Sequence, residues 1–157
     1  MKALCCGSFD PITKGHEDIV RRAARLFDEI VVLIARNPDK TGFFSEEVRR
    51  GFCEKTFADL PNVTVDVWDG IVVDYARKVG ASVLVKGIRN AADLEYETQL
   101  AEINRILAPE IETVYLSARP QLSALSSTYA RAFLRSGKDC SPLLPEAILQ
   151  DIEQMRK

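Results

Sequence analysis

Three short stretches of the sequence combine glycines, hydroxyl groups and cations in a spacing that suits phosphate binding. The first, residues 7–16, is Gly-Ser-Phe-Asp-Pro-Ile-Thr-Lys-Gly-His and follows a short apolar run. Gly7 permits a sharp turn, Ser8 supplies a hydroxyl, and Gly15 lets a ligand approach the N-terminus of a helix. Unpaired N–H groups and the helix dipole favour an anion there. We expect His16 to lie exposed in the first helical turn, with its imidazole facing that anion.

The other two stretches add hydroxyl groups and cations. Residues 126–131 (Ser-Ser-Thr-Tyr-Ala-Arg) open a second helix with hydroxyls and an arginine one turn in, which suits the outer phosphates of a nucleotide. In residues 86–89 (Lys-Gly-Ile-Arg), two cations flank a glycine at a predicted strand end, where they are poor core residues and good phosphate ligands. Lys40 lies in a loop after the second strand. Taken singly, each feature also fits an ordinary cap, turn or solvated cation.

The hydrophobic pattern predicts the elements that position these residues. Five short apolar runs, most of them rich in β-branched residues, predict strands at 3–6, 30–35, 63–67, 82–86 and 113–116. Amphipathic segments predict six helices, at 19–27, 45–57, 71–79, 94–107, 126–136 and 146–155. Ser45 and either Ser126 or Ser127 are the predicted N-caps of the second and fifth helices, and Gly80 ends the third. Pro145 fits the first turn of the last helix. This alternation predicts an α/β fold with a doubly wound parallel five-stranded sheet, in a single domain of residues 1–157. Ligands bind beyond the carboxyl ends of the strands in such sheets.

Composition excludes several classes of protein. The 157 residues are 46% hydrophobic and 28% charged, which is typical of a globular protein. With 21 basic and 23 acidic residues, the chain lacks the positive charge of a broad nucleic-acid binder. No apolar run approaches the ~18 residues of a membrane span. The four cysteines, at positions 5, 6, 53 and 140, lack metal-ligand spacing, and the opening residues lack a secretion-signal pattern. We therefore expect a cytoplasmic protein with reduced thiols, no protein-held metal, no nucleic-acid partner and no membrane partner.

The three stretches together resemble the motifs of bacterial phosphopantetheine adenylyltransferases, in the nucleotidyltransferase superfamily that shares an HxGH motif. Residues 7–16 are similar to the first motif of that family, with Thr13 in place of the first histidine, a substitution typical of this branch. Residues 125–131 are similar to the ISSTxxR motif, with Leu125 in place of isoleucine, and the block from 86 to 97 also matches. Lys86 replaces the usual arginine, and residues 121–124 lack the usual aromatic residue. The resemblance implies a Rossmann-like nucleotidyltransferase fold.

The resemblance also implies a reaction, in which ATP and 4′-phosphopantetheine give dephospho-coenzyme A and pyrophosphate, the penultimate step of coenzyme A synthesis. It implies Mg²⁺ bound with ATP, a homo-hexamer, and a catalytic role for His16 as a donor to the α-phosphate in the transition state. The ATP-binding residues that it implies are Ser8, Phe9, His16, Gly87, Ile88, Arg89, Glu97, Leu122, Ser123, Ala124, Leu125, Ser126, Ser127 and Thr128. Those implied for phosphopantetheine are Ser8, Lys40, Val72 and Lys86.

Two other functions fit parts of the pattern. One is a different small-molecule nucleotidyltransferase, such as a glycerol-3-phosphate cytidylyltransferase, which Thr13 disfavours because those enzymes usually keep both histidines. The other is a non-catalytic nucleotide sensor, which His16 and Arg89 disfavour because a sensor is free to lose its transition-state residues. The apolar face of the predicted helix at 94–107 suits either the core or a subunit interface.

Overall fold

Five parallel strands form one sheet in the computed structural model, which describes residues 1–157. The strands are β1 (Lys2–Gly7), β2 (Glu29–Ala35), β3 (Val63–Trp68), β4 (Val83–Ile88) and β5 (Glu112–Ser117). Their order across the sheet is β3-β2-β1-β4-β5, and every neighbouring pair is parallel. The chain winds outward in both directions from β1, so the predicted doubly wound α/β sheet is confirmed.

The helices connect these strands and begin close to the predicted caps. They are α1 (Lys14–Leu26), α2 (Glu46–Thr56), α3 (Val72–Val79), α4 (Ala91–Leu107), α5 (Ser127–Arg135) and α6 (Glu146–Met155), with a 3₁₀ turn at Pro120–Leu122. Ser45 and Ser126 cap α2 and α5 as predicted, through bonds from Val48 N and Tyr129 N to their hydroxyls. Gly80 ends α3 with a left-handed φ of 73°. No helix is both long enough and apolar enough to cross a membrane.

The predicted helix limits differ from the observed ones at α1 and α4. Phe27 is the C-cap of α1 and does not lie inside it, whereas α6 spans Glu146–Met155 as predicted, with Pro145 as its N-cap. α4 begins at Ala91, three residues before the expected start, because the Asn90 side chain accepts a hydrogen bond from Asp93 N and caps an earlier turn. Apolar periodicity therefore does not locate the start of α4, because the cap decides where the helix begins.

Two apolar layers cover the two faces of the sheet. One contains Ala3 and Cys5 of β1, packed with side chains of α1, α2, α5 and α6. The other contains Leu4 of β1 with side chains of α3, and Cys6 packs against it. Cys5 and Cys6 therefore face opposite sides of the sheet, as expected for neighbours on a strand. All four cysteines are free thiols.

Helix α4 is largely unburied. Ala101 is its one buried residue. The large apolar side chains that predicted the helix are exposed, and Ile106 reaches 77% exposure. The exposed set is Leu94, Tyr96, Leu100, Ile103, Ile106 and Leu107. Within this chain, the apolar face of α4 therefore does not belong to the core.

Candidate nucleotide site

A cleft of about 520 Å³ lies beyond the carboxyl ends of β1 and β4. Its walls come from the turn after β1, the first turn of α1, the end of β4, the first half of α4 and the start of α5. This is the switch point of the sheet, where open α/β folds bind their ligands. The predicted site residues that line the cleft are Ser8, Phe9, His16, Lys86, Gly87, Arg89, Glu97, Leu122, Leu125, Ser126, Ser127 and Thr128.

Five predicted site residues lie outside this cleft. Lys40 lines a second cavity of about 940 Å³, which shares Ser8 and Arg131 with the first. Ile88, Ser123 and Ala124 line neither cavity. Val72 also lines neither, and its half-buried side chain packs against the apolar layer beneath α3.

The turn after β1 is held in an uncommon backbone conformation. Phe9 has a φ of 46°, in the left-handed region that non-glycine residues rarely adopt. Its buried ring packs edge-on against the His16 imidazole, with the ring centroids 5.0 Å apart. Such strain persists where the surroundings fix it, and it concentrates at functional sites. Here the strained residue places an aromatic ring against the predicted catalytic histidine.

The surroundings of His16 define its protonation state. The Thr13 hydroxyl caps α1 by accepting from His16 N at 3.3 Å, and Thr13 N donates to His16 Nδ1 at 3.0 Å. Because Nδ1 accepts this backbone N–H, the ring proton of the neutral imidazole lies on Nε2. Burial, reinforced by the positive charge of Arg89, lowers the pKa of His16 to about 4. The prediction that His16 is exposed was therefore wrong: it is half-buried against Phe9 and belongs to a capping box.

Arg89 follows β4, and its side chain lines the cleft in a position fixed by hydrogen bonds. Its Nε and Nη2 donate to the two carboxylate oxygens of Asp93 at 3.0 and 3.3 Å, and its Nη1 donates to Leu125 O at 3.2 Å. Asp93 also accepts from Arg89 N. Asp93, in the first turn of α4, was not among the predicted site residues, and its pairing with Arg89 joins the end of β4 to that helix. The pair fixes a guanidinium beside His16.

Lys86 and Glu97 face each other across the cleft wall. Lys86 Nζ lies 3.5 Å from Glu97 Oε2, and their side chains are only 16% and 19% exposed. Burial disfavours the ammonium, but Cys6 and Glu97 beside it outweigh burial and hold the pKa of Lys86 above its ordinary value. Lys86 is therefore a charged ammonium whose position depends on Glu97.

The N-terminus of α5 is tied to the turn after β1. Ser127 Oγ donates to Pro11 O at 2.8 Å, and Arg131 Nη1 donates to Asp10 O at 2.8 Å. Arg131 Nη2 also donates to Thr128 Oγ1 at 3.3 Å. These bonds bring the start of α5 beside the start of α1, so two helix N-termini flank the cleft. The sequence predicted Arg131 as a phosphate ligand but not its role in joining the two turns.

The groups that line the cleft suit the binding of a polyphosphate. They include two helix N-termini, the cations Lys86, Arg89 and Arg131, and a neutral imidazole donor. The Thr13 hydroxyl lies 3.2 Å from His16 Nδ1, but that nitrogen also accepts from Thr13 N, and the hydroxyl caps α1. This arrangement suits positioning and charge stabilisation at phosphorus.

Family comparison agrees with this chemistry. The family model described as cytidylyltransferase-like matches residues 4–133, so the fold and the site define a member of the nucleotidyltransferases. A solved chain from Vibrio parahaemolyticus, described as a candidate nicotinate-nucleotide adenylyltransferase, superimposes with a TM-score of 0.68. That match covers 96% of this chain and 93% of the other at 15% identity, and it supports the fold alone.

Close sequence relatives narrow the family further. The phosphopantetheine adenylyltransferase of Rubrobacter xylanophilus is 46% identical, covering 98% of this chain and 93% of the relative. The enzyme of the same name from Levilactobacillus brevis is 45% identical over 93% and 91% of the two chains. That from Streptococcus pneumoniae (strain CGSP14) is 46% identical over 98% and 96%. The chain belongs to the phosphopantetheine adenylyltransferase family.

Proposed function

We propose that this protein transfers the adenylyl group of ATP to 4′-phosphopantetheine, giving dephospho-coenzyme A and pyrophosphate, the penultimate step of coenzyme A synthesis. The observation that carries the proposal is the convergence of the three phosphate-binding stretches on one cleft, in a chain 46% identical to relatives of that name. The reaction is reversible, because it exchanges one phosphoanhydride for another.

The proposed step is an in-line displacement at the α-phosphorus. An oxygen of the acceptor's phosphate forms a bond to that phosphorus, the bond to the α,β-bridging oxygen breaks, and pyrophosphate departs with the electron pair. A phosphate monoester is anionic at pH 7, so the step needs no general base and no covalent enzyme intermediate. The barrier comes from charge repulsion and orientation, which fixed cations and helix N-termini lower.

His16 is the catalytic residue of this proposal. Because Thr13 N donates to Nδ1, the imidazole donates from Nε2–H to a non-bridging oxygen of the α-phosphate. A neutral donor strengthens its hydrogen bond as charge develops on that oxygen, with no change in its own protonation. Arg89, held by Asp93, supplies positive charge to the same region.

The remaining residues divide between the two substrates. We assign the outer phosphates of ATP to the start of α5 and the nucleoside to the walls formed by β4 and α4. The residues in this set are Ser8, Phe9, Gly87, Ile88, Glu97 and the stretch 122–128. We assign the acceptor to Ser8, Lys40, Val72 and Lys86, of which Lys40 and Ser8 border the second cavity. For Val72 to contact the acceptor, the pantetheine arm must extend past the cleft towards α3.

We propose that Mg²⁺ binds to the protein together with ATP. No three carboxylate, histidine or cysteine side chains converge on a metal-binding position in this chain. We propose that ATP phosphates and water ligate the ion, as Mg²⁺ prefers, and that it supplies charge neutralisation there. The side chains described above bind and orient the phosphates independently of that ion.

We further propose a homo-hexamer in the cytoplasm. The support for assembly is helix α4, along which six large hydrophobic side chains are exposed. Free thiols at all four cysteines support a reducing compartment. Sedimentation of the wild-type chain beside Ile106→Glu tests the assembly: a wild-type monomer contradicts it.

The test of function is a pyrophosphate-release assay with ATP, Mg²⁺ and 4′-phosphopantetheine. We expect turnover with this pair, and none when CTP replaces ATP or when glycerol 3-phosphate replaces the acceptor. Preference for CTP would assign a cytidylyltransferase instead. ATP binding in a calorimeter without turnover for any acceptor would assign a nucleotide sensor.

A further inference from the structure

The backbone segment 37–44 determines where Lys40 lies. It follows β2, lines the second cavity and leads to the Ser45 cap of α2. Lys40 itself is exposed. Because a long exposed side chain samples many rotamers, the position of its ammonium group depends on how firmly this backbone is held.

The carboxylate of Asp10 holds this segment from across the cavity. Asp10 Oδ2 accepts from Phe43 N at 2.7 Å, and Asp10 Oδ1 accepts from Phe44 N at 2.8 Å. Both oxygens of a side chain that is only 8% exposed are therefore used on backbone donors more than 30 residues away in sequence. Bonds from backbone N–H groups to a buried carboxylate are short and strong.

The packing around Asp10 leaves the segment little freedom. A Cβ on Gly42 would lie 2.8 Å from Phe44 O and 3.3 Å from Asp10 Oδ2. Arg49, 7% exposed, donates from Nη1 to Ser8 O at 2.9 Å and so fixes the same turn from below. Asp10 thus joins two structures that carry proposed acceptor ligands: the turn bearing Ser8 and the segment bearing Lys40.

We propose that Asp10 is a positioning residue for the acceptor phosphate, acting through Lys40. Its carboxylate fixes segment 37–44 against the turn after β1, so that Lys40 and Ser8 face one phosphate together. This inference rests on the proposed function, since it takes Lys40 as an acceptor ligand. It assigns Asp10 a task distinct from that of His16, which acts at the reacting phosphorus.

The first test replaces Asp10 by asparagine in the full chain. The amide keeps the shape but offers one acceptor oxygen, so one of the two backbone donors loses its partner. We expect the KM for 4′-phosphopantetheine to rise about tenfold, while the KM for ATP stays within about twofold. Hydrogen exchange at the Phe43 and Phe44 amides should accelerate in the same variant without substrate. Asp66→Asn is the matched control, because its carboxylate accepts from Tyr75 Oη and Val67 N outside both cavities.

The second test is a double-mutant cycle with Lys40→Ala. If Asp10 acts through Lys40, Asp10→Asn adds no further increase in the acceptor KM once Lys40 is gone. Additive effects, or an equal rise in the KM for ATP, would overturn the proposal in an active wild-type enzyme. Unchanged exchange at Phe43 and Phe44 would overturn the anchoring itself, whatever the reaction. An inactive wild type with accelerated exchange in Asp10→Asn would instead reject the proposed function and keep the anchor.

Discussion

The backbone N–H of Thr13 donates to Nδ1 of His16 over 3.0 Å, and this bond leaves the Nε2–H of the neutral ring as its free donor. The same histidine is the third residue of α1, where a side chain that reaches back to the N-cap completes a capping box. His16 therefore stabilises the start of α1, and this contribution is separable from the catalytic role that we propose for it.

Replacing His16 by glutamate and by alanine separates these roles. Glutamate at this position of a capping box can accept from Thr13 N, whereas alanine cannot. We expect both variants to lose about 10²–10³ in kcat, because neither side chain carries an N–H donor. Only His16→Ala should also lose stability, by about 1 kcal/mol. Steady-state kinetics and urea unfolding of both variants give the answer. A His16→Ala enzyme with more than a tenth of wild-type kcat would contradict the catalytic role.

The half-buried position of His16 beside Arg89 predicts a pH dependence of stability. Its pKa is about 4 in the folded chain against an ordinary 6.5, so the unfolded chain binds more protons between those values. The contribution of neutral His16 is therefore complete above pH 6.5 and is lost as the pH falls towards 4, by no more than about 3 kcal/mol. Urea unfolding of wild type and His16→Gln at pH 7 and pH 4.5 measures it. The free energy of unfolding of wild type, relative to that of the variant, should be smaller at pH 4.5 than at pH 7. If this difference in stability is the same at both pH values, the lowered pKa is wrong.

Much of the fold could be predicted because its causes are local. Continuous β-branched runs such as 30–35 predict strands covered on both faces, and Ser45 and Gly80 predict helix limits by their own chemistry. The position of the cleft then follows from topology alone, since parallel strands end at one edge of the sheet.

The parts that sequence did not predict depend on distant contacts. Asp10 meets backbone groups 33 and 34 residues away, and Arg131 reaches Asp10 over 121 residues. No periodicity in the sequence predicts such long-range pairs. His16 was expected to be exposed because helix starts usually are, yet the left-handed backbone of Phe9 turns an aromatic ring onto it. Functional sites concentrate such departures from local rules.

Gly87 is a place where the cleft wall allows no side chain. A Cβ at this position would lie 2.9 Å from Cγ1 of Ile19 on α1. We expect Gly87→Ala to cost about 1–3 kcal/mol by overpacking and to raise the KM for ATP as β4 and α1 move apart. Gly51→Ala is the control, because nothing lies within 4 Å of its added Cβ in the middle of α2. That change should stabilise the protein by about 0.5–1 kcal/mol. If Ile19→Ala fails to restore stability to Gly87→Ala, the proposed clash is wrong.

Lys40 is predicted to act on the acceptor alone. Lys40→Ala should raise the KM for 4′-phosphopantetheine, with some loss of kcat, and leave the KM for ATP nearly unchanged. The physical reason is its place on the second cavity and its absence from the nucleotide cleft. Lys138→Ala, an exposed lysine outside both cavities, controls for loss of general positive charge. An effect on ATP equal to or larger than that on the acceptor would place Lys40 in the other subsite.

Substitutions of Lys86 test whether a point charge can replace the arginine usual in this family. Lysine offers a compact ammonium on a flexible stem, whereas arginine offers a planar fork of donors. The Lys86 ammonium compensates Glu97, whose buried Oε2 accepts no hydrogen bond. Arginine can take over that contact, so we expect Lys86→Arg to keep kcat/KM within about tenfold, or ~1.4 kcal/mol. Lys86→Ala should do far worse, because it removes the cation that faces the substrate and leaves a buried carboxylate uncompensated.

The double variant Lys86→Ala/Glu97→Gln distinguishes the two losses in Lys86→Ala. Removing the carboxylate charge together with the ammonium should restore most of the stability, since no buried charge is then left without a partner. It should not restore turnover, because the phosphate still lacks its cation. Circular dichroism and urea unfolding follow the first effect, and steady-state kinetics with both substrates follow the second. A Lys86→Ala enzyme that matches wild type in kcat and in both KM values would show that Lys86 serves only Glu97, and its assignment to the acceptor would be wrong.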